Sequence, residues 1–187
     1  KEEYCKTVEK ATYQEEIDFL VSYKKRNLFI RNLTLSLEGN TLVLFNLVDK
    51  HGKVLKELIQ DKIEEGRKLF YVSGETKTSD REAVRGIVEK QTNSIVLASL
   101  GTFSTGINIR NIHNIIFASP SKSQIRVLQS IGRGLRVSDD SRTTKLYDIA
   151  DDLRYQGKAN FTMRHCAERI KIYKVEQFNY KLVEVDI

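Results

Sequence analysis

The feature that most limits what this chain can become is a series of five short apolar segments separated by stretches of helical period. The segments are TLVLFN from Thr41, KLFYVSG from Lys68, SIVLAS from Ser94, NIIFAS from Asn114 and TTKLYDIAD from Thr143. Continuous apolar runs of this length suit strands buried on both faces, and parallel strands need long, usually helical, crossovers. The stretches HGKVLKELIQDKIEEG, TSDREAVRGIVEKQ and SKSQIRVLQSIGRGLR supply them, with apolar residues three and four apart. This order predicts an α/β fold with a mostly parallel sheet, helices on both faces and right-handed crossovers. A mainly helical lead-in over residues 13–38 is expected to pack on the core, a terminal helix is expected in TMRHCAERIKIYKVEQF, and a short strand in KLVEVDI. The expected division is a lead-in at 1–40, a core domain at 41–153 and a helical extension at 154–187.

Composition narrows the class. A chain of 187 residues with 40% hydrophobic content can bury one ordinary core without metal or disulfide support. A net charge of +6 suits a polyanionic partner, although a lysine-rich solvated surface gives the same total. Cys5 and Cys166 lie far apart and have no partners at metal-ligand spacing, which points to free thiols, a reducing compartment and a cytoplasmic setting. No apolar run reaches the length of a membrane span, and KEEYCKTVEK lacks the apolar core of a signal peptide, so no membrane partner is expected. The missing initial methionine suggests a fragment of a longer chain.

In open parallel sheets, ligands bind outside the carboxyl ends of the strands. Polar and small residues gather just there, at Asn46 to Lys53, Ser73 to Asp80, Ser99 to Asn108 and Ser119 to Gln124. In VSGETKTSDR, Gly74 ends a strand and Thr78 or Ser79 caps the next helix, with Glu82 completing a capping box to Ser79. That leaves Lys77 and Arg81 for phosphates. His51 and Lys53 open the helix after LVLFN, where free N–H groups favour an anion, although a lone histidine is more often a surface or cap residue. ASLGTFSTGINI runs from a buried strand into a loop dense in hydroxyls and N–H groups, suited to phosphate or ribose, or simply a polar turn.

QSIGRGLR, residues 129–136, carries two glycines that each cost a helix about 1 kcal/mol. Gln129, Arg133 and Arg136 share one sector of that helix, while Leu128, Ile131 and Leu135 take a roughly opposite one. Gly132 leaves space beside the guanidinium surface, and arginine's planar fork suits phosphate. A solvated helix with two exposed arginines has the same spacing.

In this order the segments resemble the second RecA-like domain of superfamily-two helicases. LVLFN is similar to that family's motif IV, VSGETKTSDR to motif IVa, ASLGTFSTGIN to motif V and QSIGRGLR to the Q-x-x-G-R-x-x-R of motif VI. Within the superfamily, SGETKTSDR, FSTGI, LQSIGRGLR, LYDIADD and RIKIYKVEQFNY most resemble bacteriophage UvsW-type recombination helicases, with XPB-like repair helicases as more distant relatives.

The resemblance implies a three-layer RecA-like domain, a P-loop NTPase-like fold without the P-loop, that forms half of a two-domain ATP site. It implies Arg136 as a finger on the γ-phosphate, Arg133 as its companion and Gln129 near the nucleotide or attacking water. Gly106, Asn108 and Gly132 would lie near the nucleotide. Ser73, Gly74, Lys77, Arg81, Ser99, Thr102, His51 and Lys53 would face the DNA backbone. Three positions depart from the family: Asn108 replaces the usual aspartate, Thr105 the arginine before the glycine, and Leu100 a frequent threonine.

There is no G-x-x-x-x-G-K-[ST] and no D-E-x-D/H in the chain. ATP and Mg2+ are therefore expected to be held mainly by an N-terminal RecA-like domain of the parent chain, with no metal site here. The isolated fragment is expected not to turn over ATP. The implied function is the motor domain of an ATP-dependent DNA helicase or translocase acting on branched or forked DNA in recombination, replication or repair. A non-catalytic RecA-like binding module and an RNA helicase domain are the alternatives.

Overall fold

The computed structural model describes residues 10–106, residue 109 and residues 111–119 and 144–187, with the side chains of 104–106 set aside. All five apolar segments form strands: β1 (Thr41–Phe45), β2 (Leu69–Val72), β3 (Ile95–Ser99), β4 (Asn114–Phe117) and β5 (Lys145–Asp148). They make one parallel sheet in the order β2-β3-β1-β4-β5. The helices are α1 (Tyr13–Ser22), α2 (Lys24–Ser36), α3 (Lys53–Gln60), α4 (Thr78–Val88), α5 (Leu100–Gly106) and α6 (Phe161–Val175). A π-helical turn, Val48–Gly52, leads into α3.

The pleat divides the core in two. Leu42 and Leu44 of β1, Val96 and Ala98 of β3, and Ile115 and Phe117 of β4 pack with Val88 of α4, Leu100 of α5 and Tyr173 of α6. Their alternating neighbours Val43, Phe45, Ile95, Leu97 and Ile116 pack with Ile30 of α2 and with Leu55 and Ile59 of α3. Every residue of β1, β3 and β4 is therefore buried, whereas the edge strands β2 and β5 are mostly half-buried. The connection from β1 to β2 travels one way along the sheet and carries α3 on one face. Those from β2 to β3 and from β3 to β4 travel the other way and carry α4 and α5 on the opposite face. A single handedness of crossover imposes that segregation.

The lead-in is helical because Thr12 caps α1. Its hydroxyl accepts the Glu15 N–H and the Glu15 carboxylate accepts the Thr12 N–H, a complete capping box. Three local expectations are corrected. The helical pattern from His51 to Gly66 stops at Gln60, beyond which the chain turns, reaching Gly66 at φ +85°. No strand forms among residues 176–187, where Leu182 and Val183 stay about 70% exposed, because a strand needs a ladder partner and none of the described residues pairs with this segment. And α4 begins at Thr78 with Lys77 as its N-cap and no side-chain cap, so neither Thr78 nor Ser79 plays that part. Among the described residues no helix is long and apolar enough to cross a membrane.

Candidate functional site

The strands end in register. Val72, Ala98, Leu44, Phe117 and Asp148 form one row across the sheet, and the residues after them build its carboxyl edge. β1 leaves towards the α3 face while its neighbour β3 leaves towards the α5 face, and such a switch point opens a crevice for ligands.

Ser99 closes β3 and starts α5. Its Oγ accepts the Thr102 N–H at 3.3 Å and lies 2.7 Å from Thr102 Oγ1, both side chains being buried. The segment expected as a loop is thus a capped helix, whose Leu100 and Phe103 reach the core one turn apart. Gly106 is its last residue.

The loop after β2 is folded over Arg81. The Arg81 guanidinium donates to Thr76 O at 2.8 Å and Gly74 O at 3.1 Å, and the Ser73 N–H donates to Thr76 Oγ1 at 3.0 Å. Arg81 therefore braces the loop that presents exposed Gly74 and Lys77, while Ser73 is buried.

After β1, His51 lies in the π-helical turn and is fully buried, with Nδ1 3.0 Å from Ser119 Oγ. Its backbone N–H donates to Leu47 O and its Nε2 is buried without a partner, so the ring is not exposed at this edge. Burial first, and the Arg26 guanidinium second, hold its pKa down at about 3. Gly52 follows because a Cβ there would fall on the Phe45 ring. Lys53 stays exposed and pairs with Asp49, whose hydrogen bond raises its pKa. A cavity of about 160 Å³ opens between α1 and this edge, lined by Tyr13, Gln14, Ile17, Asn46, Leu47 and Ser119.

Sequence reasoning missed the most heavily charged part of the edge, the exit of β5. Asp148 accepts from Arg169 Nε and from the Tyr173 hydroxyl, both at 2.7 Å, on the α6 face. Asp151 accepts from Arg26 Nε at 2.7 Å on the α2 face. Both arginines are fully buried. Glu16 of α1, also buried, accepts the N–H groups of Phe161 and Thr162 at 2.9 and 2.8 Å and the Asn160 amide at 2.8 Å. It caps α6 from another helix, where the dipole favours a carboxylate. The only signal in the sequence was the clustering of acids in LYDIADD; nothing local marks Arg26, Arg169 or Glu16 as buried. Gln129, Gly132, Arg133, Arg136 and Asn108 lie outside the described residues. Among the described residues no cluster of side chains could hold a metal ion.

The model of the helicase conserved C-terminal domain matches residues 24–138, most of the chain, and the chain belongs to that family. Along its whole length it is 34% identical to the ATP-dependent DNA helicase uvsW of Enterobacteria phage T4, of which it spans 39%. The crystal structure of T4 UvsW superposes on 97% of this chain with a TM-score of 0.80 and 33% identity, covering 38% of that chain. About half of the chain, 51%, is 34% identical to the putative ATP-dependent helicase IRC3 of Saccharomyces cerevisiae, 13% of whose length is matched. The C-terminal domain of the DEAD-box protein Dbp5 shares the fold, with a TM-score of 0.60 at 12% identity over 82% of this chain and 81% of that one.

Proposed function

We propose that this chain is the C-terminal motor domain of an ATP-dependent DNA helicase or translocase that remodels branched DNA. The observation that carries the reading is the match along the entire chain, in sequence and in fold, to a phage ATP-dependent DNA helicase of more than twice its span. The remainder of such a parent chain would contain the N-terminal RecA-like domain that holds ATP and Mg2+.

In this reading Arg136 and Arg133 reach across the cleft and offset the charge that develops on the transferring phosphoryl group, with Gln129 positioning the nucleotide or water. A finger of this kind contributes about 10³ to 10⁵ in rate. Gly106 and Asn108, at and after the end of α5, approach the nucleotide with backbone and amide groups. The nucleic acid runs over the exposed ends of the loops after β1 and β2, where Gly74 leaves open space and Lys77 and Lys53 supply charge. His51, Ser73 and Arg81 shape those loops from beneath, and Ser99 and Thr102 fix the start of α5 beside them. Cleft closure on ATP and opening after hydrolysis would then shift these contacts against those of the other domain.

The test is DNA-stimulated ATP hydrolysis by the parent chain. Arg136→Ala is expected to lower kcat by about 10³-fold or more with DNA affinity retained. Unchanged turnover would remove the finger assignment and leave a binding module. The fragment alone is expected to show no turnover above background.

A further inference from the structure

The cavity beside β1 has no part in the function proposed above. Tyr13, Gln14 and Ile17 of α1 line it on one side, Asn46 and Leu47 after β1 on another, and Ser119, just after β4, completes the lining among the described residues. None of these six side chains is charged, so the cavity does not suit a phosphate. Its volume of about 160 Å³ compares with the roughly 150 Å³ of an apolar cavity that holds benzene, which leaves room for one six-membered ring.

The lining is held in place by the fold. Tyr13 follows the Thr12 cap of α1, and its ring meets Phe161 and His165 in edge-on contacts, with centroids 5.8 and 5.4 Å away, while the residue stays 36% exposed. Ser119 is buried, and its Oγ accepts the Asn46 N–H at 3.1 Å and lies 3.0 Å from His51 Nδ1. The exposed Asn46 amide makes no hydrogen bond to any described residue. An anchored aromatic ring, two aliphatic side chains and a planar amide match what an unstacked base needs, a surface to stack on and a partner for its edge.

Cations border the cavity without lining it. Lys50 pairs with Asp18 of α1 at 2.7 Å, Lys53 follows three residues on and feels the charge of Glu75 in the loop after β2, and Lys77 is exposed on that same loop. Phosphates that follow these lysines bring a base to the cavity. We propose that the cavity takes one unstacked pyrimidine base of the bound strand, stacked on Tyr13 and hydrogen-bonded at its edge by Asn46. The inference rests on the nucleic-acid reading of these loops and adds a base contact to a surface otherwise suited to phosphates. Stacking on an aromatic side chain tolerates any base, so the size of the cavity sets the preference for a single ring.

The experiment measures, at one salt concentration, the affinity of the parent chain for oligothymidine, for oligodeoxyadenosine and for an abasic strand of the same length. The unaltered protein is expected to bind oligothymidine about 10-fold more tightly than either of the others. Tyr13→Ala removes the stacking ring, and Leu47→Trp fills the cavity from a residue that belongs to neither core cluster, which keeps the test decisive should loss of Tyr13 unfold α1. Both variants are expected to weaken oligothymidine binding about 10-fold and to leave abasic binding within about twofold. If the unaltered protein does not favour oligothymidine, if the variants bind all three strands as it does, or if they lose abasic affinity equally, the base site is overturned and the phosphate-contact reading stands. If the parent chain binds none of the strands, the nucleic-acid reading fails and the base site falls with it.

Discussion

The two edges of this sheet solve the same problem in opposite ways. At the amino edge a single neutral side chain ties the turns together: Asn40 donates to Gln91 O at 2.7 Å and Asn111 O at 2.8 Å and accepts the Ser94 N–H at 2.8 Å. Gly39, at φ +87°, lets the chain pass under the His113 ring, where a Cβ would stand 2.9 Å from Cγ. At the carboxyl edge the same task falls to the buried Arg26, Arg169 and Glu16 and the half-buried Asp148 and Asp151, with several of their polar atoms unpartnered. Neutral hydrogen bonds satisfy backbone groups at small desolvation cost, whereas buried charges cost several kcal/mol each and impose directional geometry. The difference teaches that the carboxyl edge is organised for position more than for stability. A cleft of about 530 Å³ at the amino edge is lined in part by Arg67, whose guanidinium donates to Leu35 O and Leu37 O.

The contrast breaks most visibly under truncation. Arg26→Ala leaves the half-buried Asp151 carboxylate without its partner, and is expected to lower the unfolding free energy by about 3 kcal/mol in urea titrations. The apolar replacement of both partners should restore most of that loss. At the amino edge, Asn40→Ala strands the Ser94 N–H and takes the amide donor from the Val88, Gln91 and Asn111 carbonyls, an expected cost of about 2–3 kcal/mol that an apolar substitute cannot recover. Equal recovery at the two edges would erase the distinction drawn between them.

Acid sharpens it. His51 stays neutral in the fold down to about pH 3, while in the unfolded chain it takes up a proton near 6.5. Between those values the unfolded state binds more protons, so the His51 contribution to stability is complete above the upper value and is lost as pH falls. His51→Asn should therefore flatten the pH dependence of unfolding across that window, and an unchanged slope would contradict the buried neutral ring.

The smallest effect belongs to Lys53, exposed and paired only with Asp49. Lys53→Ala is expected to leave the melting midpoint unchanged, because an exposed pair contributes little. DNA affinity of the parent chain should fall modestly, with a shallower salt dependence by about one counterion. A lower midpoint with unaltered DNA binding would make Lys53 structural.

Much of this architecture was legible because its signals are local. Five apolar runs become five strands within three residues at each end, and the central three are apolar because both of their faces are covered. The short helix of motif V was hidden because its Ser, Thr and Gly content reads as loop, while its capping hydroxyl and its two core contacts depend on the packed sheet beneath. His51 was read as a surface or cap residue because nothing nearby in sequence shows that Ser119, on another strand exit, closes over it.

What the sequence by itself determined is the order of strands and helices and the set of polar segments that must gather at the carboxyl edge, because hydrophobic period and chain direction are properties of neighbouring residues. Only the tertiary structure decided which of the charged residues turn inward. Burial of Arg26 against Ala118 and Asp151, or of Glu16 against the start of α6, joins residues 92 to 146 positions apart in the chain. Such contacts exist only once the sheet has closed around them, so no window of sequence carries their signal.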